Sequence, residues 1–196
     1  MTRDDLAAML NAYDPPDAGE AEDRFRMLVL LQSEPACFER SCFVPGHITG
    51  SALLVSGDGR RALMNHHKSL NKWLCFGGHA DGEADILSVA RREGVEESGI
   101  ERIEPAFGGI FDLDIHPIPA NLKRNEPAHE HFDIRYLFRV TGRENFTVSD
   151  ESHDMKWCGY DEAVQLAGDD GMRRLLRKWR DRVDQETGLS PKTGLR

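Results

Sequence analysis

The chain has 196 residues, of which 39% are hydrophobic and 30% charged, a composition typical of a globular domain. With 25 basic and 34 acidic residues its formal net charge is −9, which argues against a nucleic-acid partner. We find no apolar run long enough to cross a membrane and no secretory signal, so we expect no membrane partner. The four cysteines form no C-x-x-C pair, which favours free thiols and a cytoplasmic location.

The N-terminal part of the chain is predicted to be helical. Helices are expected at residues 2–12 and 20–32, separated by a segment rich in proline and glycine. We therefore assign residues 1–46 to a helical extension, 47–187 to the main domain and 188–196 to a flexible tail. A zinc site formed by Cys37, Cys42 and His47 is conceivable in the extension and at its boundary.

The main domain alternates between strand and helix signals. Strands are predicted at residues 48–55 and 61–66 (as a hairpin), 72–76, 103–114, 131–141 and 155–158. Helices are predicted at residues 85–98, 161–167 and 171–183, and a long polar loop at 117–127. The order shows no βαβ rhythm, which predicts an α+β fold with a mixed sheet.

Three carboxylates stand out at the end of the first of these helices. Glu93, Glu96 and Glu97 have the spacing i, i+3, i+4, so they project from one helical face. Like charges placed in this way repel each other, and a hard divalent cation would offset the repulsion. Taken alone, the same pattern is also that of a solvated acidic helix.

Residues 78–100 closely resemble the Nudix box, G-x5-E-x7-R-E-U-x-E-E-x-G-U, in which U is a bulky aliphatic residue. The matching positions are Gly78, Arg92, Glu93, Glu96, Glu97, Gly99 and Ile100. Two positions depart from the pattern. Ala84 replaces the first glutamate, although Glu83 is adjacent, and Gly94 replaces the first aliphatic residue, at a cost of about 1 kcal/mol in helix propensity relative to alanine.

The Nudix resemblance implies an α/β/α sandwich whose mixed sheet carries the box helix. It also implies hydrolysis of a nucleoside diphosphate linked to another moiety, with Mg²⁺ or Mn²⁺ as cofactor and a small nucleotide-type substrate. Glu93 and Glu97 would bind the metal, Glu96 would share or bridge, and the Gly77 carbonyl would be a further ligand. Arg92 would orient the glutamates by ion pairing. Nudix relatives often pair as dimers, and the N-terminal helices could form that contact here.

The general base is expected outside the box. Glu151 lies in a polar loop six residues before Trp157, a spacing similar to that in related Nudix enzymes. An ordinary exposed loop acid is an equal alternative for Glu151. Asp150 and Asp154 are fallback candidates, and Glu96 is another because some family members use a box glutamate as the base.

A second polar cluster occupies residues 129–136. Strand alternation places His129, His131, Asp133 and Arg135 on one face. A row of polar side chains on a central strand is costly unless it faces a wet cleft or pairs internally, so we predict that it lines the substrate site. Arg135 would grip a phosphate, and His131 and Asp133 would hydrogen-bond the substrate or help to hold a metal.

Several alternatives remain open at this stage. The polar row could belong to a solvated edge strand, or to a His–Asp metal site separate from the box. His47, His66, His67 and His79 flank the predicted cleft, with His79 at its mouth. The basic series at residues 173–182 is expected to be a solvated helix face.

Alternatives to hydrolysis also remain. The two departures from the box would fit a Nudix-fold binding module or sensor with little turnover. A prenyl-diphosphate isomerase-like member would need a catalytic cysteine, and Cys75 stands in no recognisable motif for it.

Overall fold

The computed structural model describes residues 1–187 and contains five helices and eight strands within them. The helices are α1 (Arg3–Ala12), α2 (Ala18–Ser33), α3 (Ile86–Ser98), α4 (Tyr160–Leu166) and α5 (Asp170–Thr187). The strands are β1 (Gly46–Val55), β2 (Ala62–His67), β3 (Lys72–Leu74), β4 (Phe76–His79), β5 (Ile103–Pro105), β6 (Asp112–Ile118), β7 (His129–Val140) and β8 (Ser152–Cys158).

All eight strands form one mixed sheet. Its central pair is β1 and β7, which run parallel over ten residue pairs, whereas every other pairing is antiparallel. The order β3-β2-β1-β7-β5 forms the main path, with β4 added to β1, β6 to β7 and β8 to β2. The mixed sheet confirms the predicted α+β class.

Helices cover both faces of the sheet. On one face, α3 packs on β1 and β7 through a core that includes Ile48, Ile134 and Tyr136. On the other face, a second core around Leu53 and Trp179 buries the apolar side of α5. Because strand side chains alternate between faces, odd-numbered residues of β1 and β7 lie on the α5 face. The arrangement confirms the α/β/α sandwich.

Two glycines allow α3 to approach β1 closely. A Cβ on Gly50 would lie 2.9 Å from the Ile86 Cγ2 atom, and a Cβ on Gly94 would lie 3.1 Å from the Ala52 Cβ atom. Gly94 therefore has a packing reason in this chain, because a bulky aliphatic residue there would push the helix away from the sheet.

The element boundaries differ from prediction mainly around the loops. The strand predicted at 103–114 is two strands, β5 and β6, joined by a segment containing Gly108 and Gly109, and the polar loop runs from 119 to 128 because β6 extends to Ile118. The predicted hairpin of β1 and β2 has one paired position, because β2 pairs mainly with β8.

The helices α1 and α2 share the core beneath the α3 face of the sheet, through Leu6, Leu10, Met27 and Leu30. The division at residues 46 and 47 stays a prediction, and the predicted tail lies outside the described residues. Within residues 1–187, no helix combines the length and apolar character that crossing a membrane requires.

Candidate active site

The helix α3 presents its carboxylates to the glycine-rich strand β4. It begins after Asp85, whose side chain accepts a hydrogen bond from the Ser88 N–H, and ends at Gly99, which has a φ of 71°. The Glu93 carboxylate lies directly over Gly78, where a Cβ would come within 2.5 Å of the Glu93 Cδ atom. A side chain at position 78 would therefore displace Glu93.

Glu97 is the most buried of the box glutamates. Only 8% of its surface is exposed, and it accepts hydrogen bonds from the Gly77 N–H (3.3 Å) and from the Asn65 side-chain amide (3.1 Å). Burial is the main cause that raises the pKa of Glu97 to about 8. The charges of Glu93 and Glu151 act in the same direction, and the two hydrogen bonds act against it.

The other two box glutamates differ from Glu97 and from each other. Glu93 is half-buried, and its pKa is also raised by burial, with Glu96 and Glu151 contributing. Glu96 is exposed. The structure thus brings Glu93 and Glu97 together against β4 and leaves Glu96 at the surface.

Arg92 connects the box helix to the loop after β4. Its guanidinium pairs with Glu93 at 3.1 Å and with Glu83 at 3.3 Å, and it donates a hydrogen bond to the His79 carbonyl oxygen at 3.3 Å. Glu83 thus provides a carboxylate one residue before the position where Ala84 lacks one. Arg92 does not pair with Glu96, although it lies four residues before it.

Asn65 was missed by the sequence analysis. Its side chain lies on β2 and reaches Glu97, while its Oδ1 atom is buried and has no hydrogen-bond partner among residues 1–187. The only local signal is a polar residue at a buried strand position.

Glu151 immediately precedes β8 and acts electrostatically on the box glutamates. Its negative charge contributes to the raised pKa of Glu93 and of Glu97. It acts in the same direction on His67, but burial has the larger effect there and lowers the pKa of His67.

The polar row of β7 lies on the face of the sheet opposite the box helix. Its second half, Asp133 and Arg135, pairs with other residues of the protein. Asp133 accepts hydrogen bonds from Thr49 (3.0 Å) and Ser51 (2.8 Å). Arg135 is 6% exposed and pairs with Asp133 and Asp114, each at 2.8 Å, and with Asp112 at 3.3 Å.

The predicted contact of Arg135 with a phosphate stays a prediction. In this structure Arg135 pairs with three carboxylates of the protein, and Asp133 accepts hydrogen bonds from its neighbours. The edge-strand alternative is wrong, because β7 pairs with β1 on one side and with β5 and β6 on the other.

The basic face of α5 is partly buried rather than solvated. Arg174 pairs with Asp112 at 3.0 Å and Asp114 at 3.2 Å, and Lys178 pairs with Glu20 at 2.8 Å. Glu20 is fully buried in α2. These contacts tie α5 and the N-terminal helices to the edge strand β6.

The first half of the polar row of β7, His129 and His131, belongs to a cluster of histidines. Ring nitrogens of His47, His79 and His131 all lie within 4.8 Å of one another, and the rings of His129 and His116 are adjacent. Burial lowers the pKa of His79 to about 4 and also lowers that of His131, where neighbouring imidazoles add to the effect. Cys37 and Cys42 are buried free thiols that do not join this group.

A family model described as the NUDIX domain matches residues 46–179, more than half of the chain. The chain belongs to the Nudix family. A Nudix relative named "Probable DHNTP pyrophosphohydrolase", from Lactococcus lactis subsp. cremoris, is 30% identical over 97 residues, which are 50% of this chain. The match spans 56% of that relative's length.

Solved Nudix structures agree in fold. A C. elegans Ap4A hydrolase in a binary complex superposes with a TM-score of 0.55 at 19% identity, covering 70% of this chain and 98% of its own. The E. coli dihydroneopterin triphosphate pyrophosphohydrolase gives a TM-score of 0.52 at 14% identity, covering 67% and 92% respectively. At these identities the likeness concerns the fold alone.

Proposed function

We propose that this Nudix protein is a metal-dependent pyrophosphohydrolase that cleaves a phosphoanhydride bond in a nucleoside diphosphate linked to another moiety. The observation that carries the proposal is the pair of carboxylates, Glu93 and Glu97, held against β4 with little opposing charge. The pyrophosphohydrolase name of the Lactococcus relative supports the same reaction class.

The donor set fits Mg²⁺ or Mn²⁺. Both ions prefer oxygen ligands, and Mg²⁺ commonly takes one or two carboxylates with substrate phosphates and water completing the shell. Glu93 and Glu97 would hold the ion, Glu96 could join from the surface, and the Gly77 carbonyl is a further proposed ligand. The unpartnered Asn65 Oδ1 beside Glu97 adds a neutral oxygen to this set.

The chain's own residues would divide the remaining tasks. A bound cation would neutralise phosphate oxygens and promote ionisation of the attacking water. Arg92 would hold Glu93 and the loop at Glu83 in place. Glu151, whose charge acts on both Glu93 and Glu97, is the proposed general base.

The role of Glu151 can be tested by substitution. Glu151→Gln is expected to lower kcat by about 100-fold, because it removes the proposed base. Asp150→Asn, on the neighbouring residue, is the control and should leave kcat unchanged. Equal effects of the two substitutions would reject Glu151 as the base.

Two observations favour turnover over a binding module. Glu83 pairs with Arg92 despite Ala84, and Gly94 matches the close contact between α3 and β1. Neither departure from the box removes a carboxylate from the proposed metal site. The free state of all four cysteines fits the proposed cytoplasmic location.

The deciding experiment is product release from a panel of diphosphate compounds, including nucleotide sugars, dinucleoside polyphosphates and nucleoside triphosphates. Each is assayed with Mg²⁺, with Mn²⁺ and with a chelator. We expect cleavage of one compound class that depends on the metal. Ligand binding without cleavage across the panel would contradict the hydrolase and favour the binding module.

A further inference from the structure

Histidines from four neighbouring strands meet on the face of the sheet opposite Glu93. His79 follows Gly78 in β4, and because successive residues of a strand point to opposite faces, its ring lies away from the box helix. His47 in β1 pairs in register with His131 in β7, and His131 with His116 in β6. The row therefore belongs to the sheet scaffold rather than to a mobile loop.

The spacing of three rings suits a metal ion. The ring centroids are 4.8 Å apart for His47 and His131, 5.1 Å for His47 and His79, and 5.3 Å for His79 and His131. Their nearest nitrogens already lie within 4.8 Å of each other. Tetrahedral Zn–N bonds of about 2.0–2.1 Å require nitrogens about 3.3 Å apart, so small ring rotations would complete the site.

Two of these histidines have a buried nitrogen with nothing to bind. The Nε2 atoms of His47 and His131 are buried and have no hydrogen-bond partner among residues 1–187. His47 is only 1% exposed. Buried polar atoms are nearly always paired in native structures, so two unpaired nitrogens in adjacent rings indicate a missing ligand.

The tautomer of His47 prepares it for that ligand. Its Nδ1 atom lies 3.0 Å from the Cys42 carbonyl oxygen, which can only accept a hydrogen bond, so Nδ1 carries the proton. The Nε2 atom then presents a lone pair. A histidine ligand commonly uses its second nitrogen in this way to bind a backbone carbonyl.

We propose that His47, His79 and His131 form a second metal site, separate from the box carboxylates, for a divalent transition metal of the zinc type. Imidazole nitrogens select zinc, cobalt or nickel ions, whereas carboxylate sites suit magnesium. His129 lies beside the three proposed ligands, outside the group whose nitrogens are within 4.8 Å of one another. Its ring stacks at 5.0 Å from His47, and its Nδ1 atom lies 2.8 Å from the Pro127 carbonyl oxygen, which leaves its Nε2 atom available.

A surface cavity lies next to this site. The cavity, of about 390 Å³, is lined by residues that include Arg40, Phe43 and Asp81. The Phe43 ring contacts the rings of His129 and His47, with centroids 5.0 Å and 6.4 Å apart. The cavity therefore adjoins the histidine cluster through Phe43.

The test uses the full chain without a polyhistidine tag, stripped with a chelator and titrated with Co²⁺ in excess Mg²⁺. The Mg²⁺ competes for the carboxylate site. We expect one equivalent of Co²⁺ to bind with the visible absorption of a four-coordinate cobalt–histidine centre, and Zn²⁺ to displace it. His79→Asn and His131→Asn should each weaken Co²⁺ binding about 100-fold or more.

Two controls separate this site from the proposed active site. His153→Asn alters an exposed histidine outside the cluster and should bind Co²⁺ like the wild type. Glu97→Gln should retain Co²⁺ binding even if hydrolysis is lost. Thermal unfolding of the metal-free variants checks folding, and the half-buried His79 decides the case if the His131 variant is unstable. Failure to bind one equivalent of Co²⁺, or unchanged affinity in His79→Asn, would overturn the proposal.

Discussion

Carboxylates cluster at two places in this protein, and the two clusters differ in how many cationic side chains pair with them. At the edge strand β6, Glu20, Asp112, Asp114 and Asp133 are matched by Arg135, Arg174 and Lys178. At the box helix, Glu93 pairs with Arg92, and Glu97 forms no ion pair within residues 1–187. The comparison suggests that the first cluster stabilises the fold, whereas the second is incomplete without an external cation.

The largest expected effect is on the incomplete cluster. Glu97→Gln removes the carboxylate that would bind the cation, at nearly constant volume, so we expect hydrolysis to fall by about 100-fold or more while the fold is retained. Steady-state rates at saturating Mg²⁺ and a thermal unfolding curve measure the two quantities. Glu101→Gln, an exposed acid just beyond the same helix, is the matched control and should match the wild type. Wild-type turnover in Glu97→Gln would reject its metal role.

The balanced cluster should respond in stability rather than in turnover. Arg135→Met leaves three aspartates without their shared partner, and breaking such a buried pair costs about 3–5 kcal/mol. The control is Arg139→Met, which removes the half-exposed pair with Glu186 and should cost at most about 1 kcal/mol. Denaturant unfolding measures both. If the Arg135→Met protein were stable and had a raised KM, the result would instead support the predicted contact between Arg135 and a substrate phosphate.

Arg135 also illustrates how far the sequence could reach. Alternation along residues 129–136 identified the correct face of a central strand, because that signal depends only on neighbouring residues. The partners of Arg135 could not be identified in this way. Asp112 is 23 residues away in the chain, and the Arg174 that shares it is 62 residues from Asp112. Because these distant partners leave no local signal, the sequence favours a substrate contact for Arg135.

The box helix was predictable for the opposite reason. Its glutamates, Arg92 and Gly99 lie within one helix and its cap, where the spacing in the sequence determines the face in space. Asn65 lies 32 residues from Glu97, and a single amide in a strand gives no signal of that contact. The Nudix motif thus located the helix but not the side chain that β2 adds to it.

The smallest expected effect concerns the one cation of the box cluster. Glu83 and Arg92 have side chains that are 41% and 37% exposed, so their ion pair should contribute at most about 1 kcal/mol. Glu83→Gln is therefore expected to raise the Mg²⁺ concentration for half-maximal activity by less than about fivefold, with kcat unchanged at saturating Mg²⁺. Glu104→Gln, at an exposed position of β5, serves as the control. A loss of activity of about 100-fold in Glu83→Gln, comparable with that in Glu97→Gln, would show that Glu83 itself binds the cation in place of the glutamate missing at position 84. The box cluster would then have one more metal ligand than its geometry suggests.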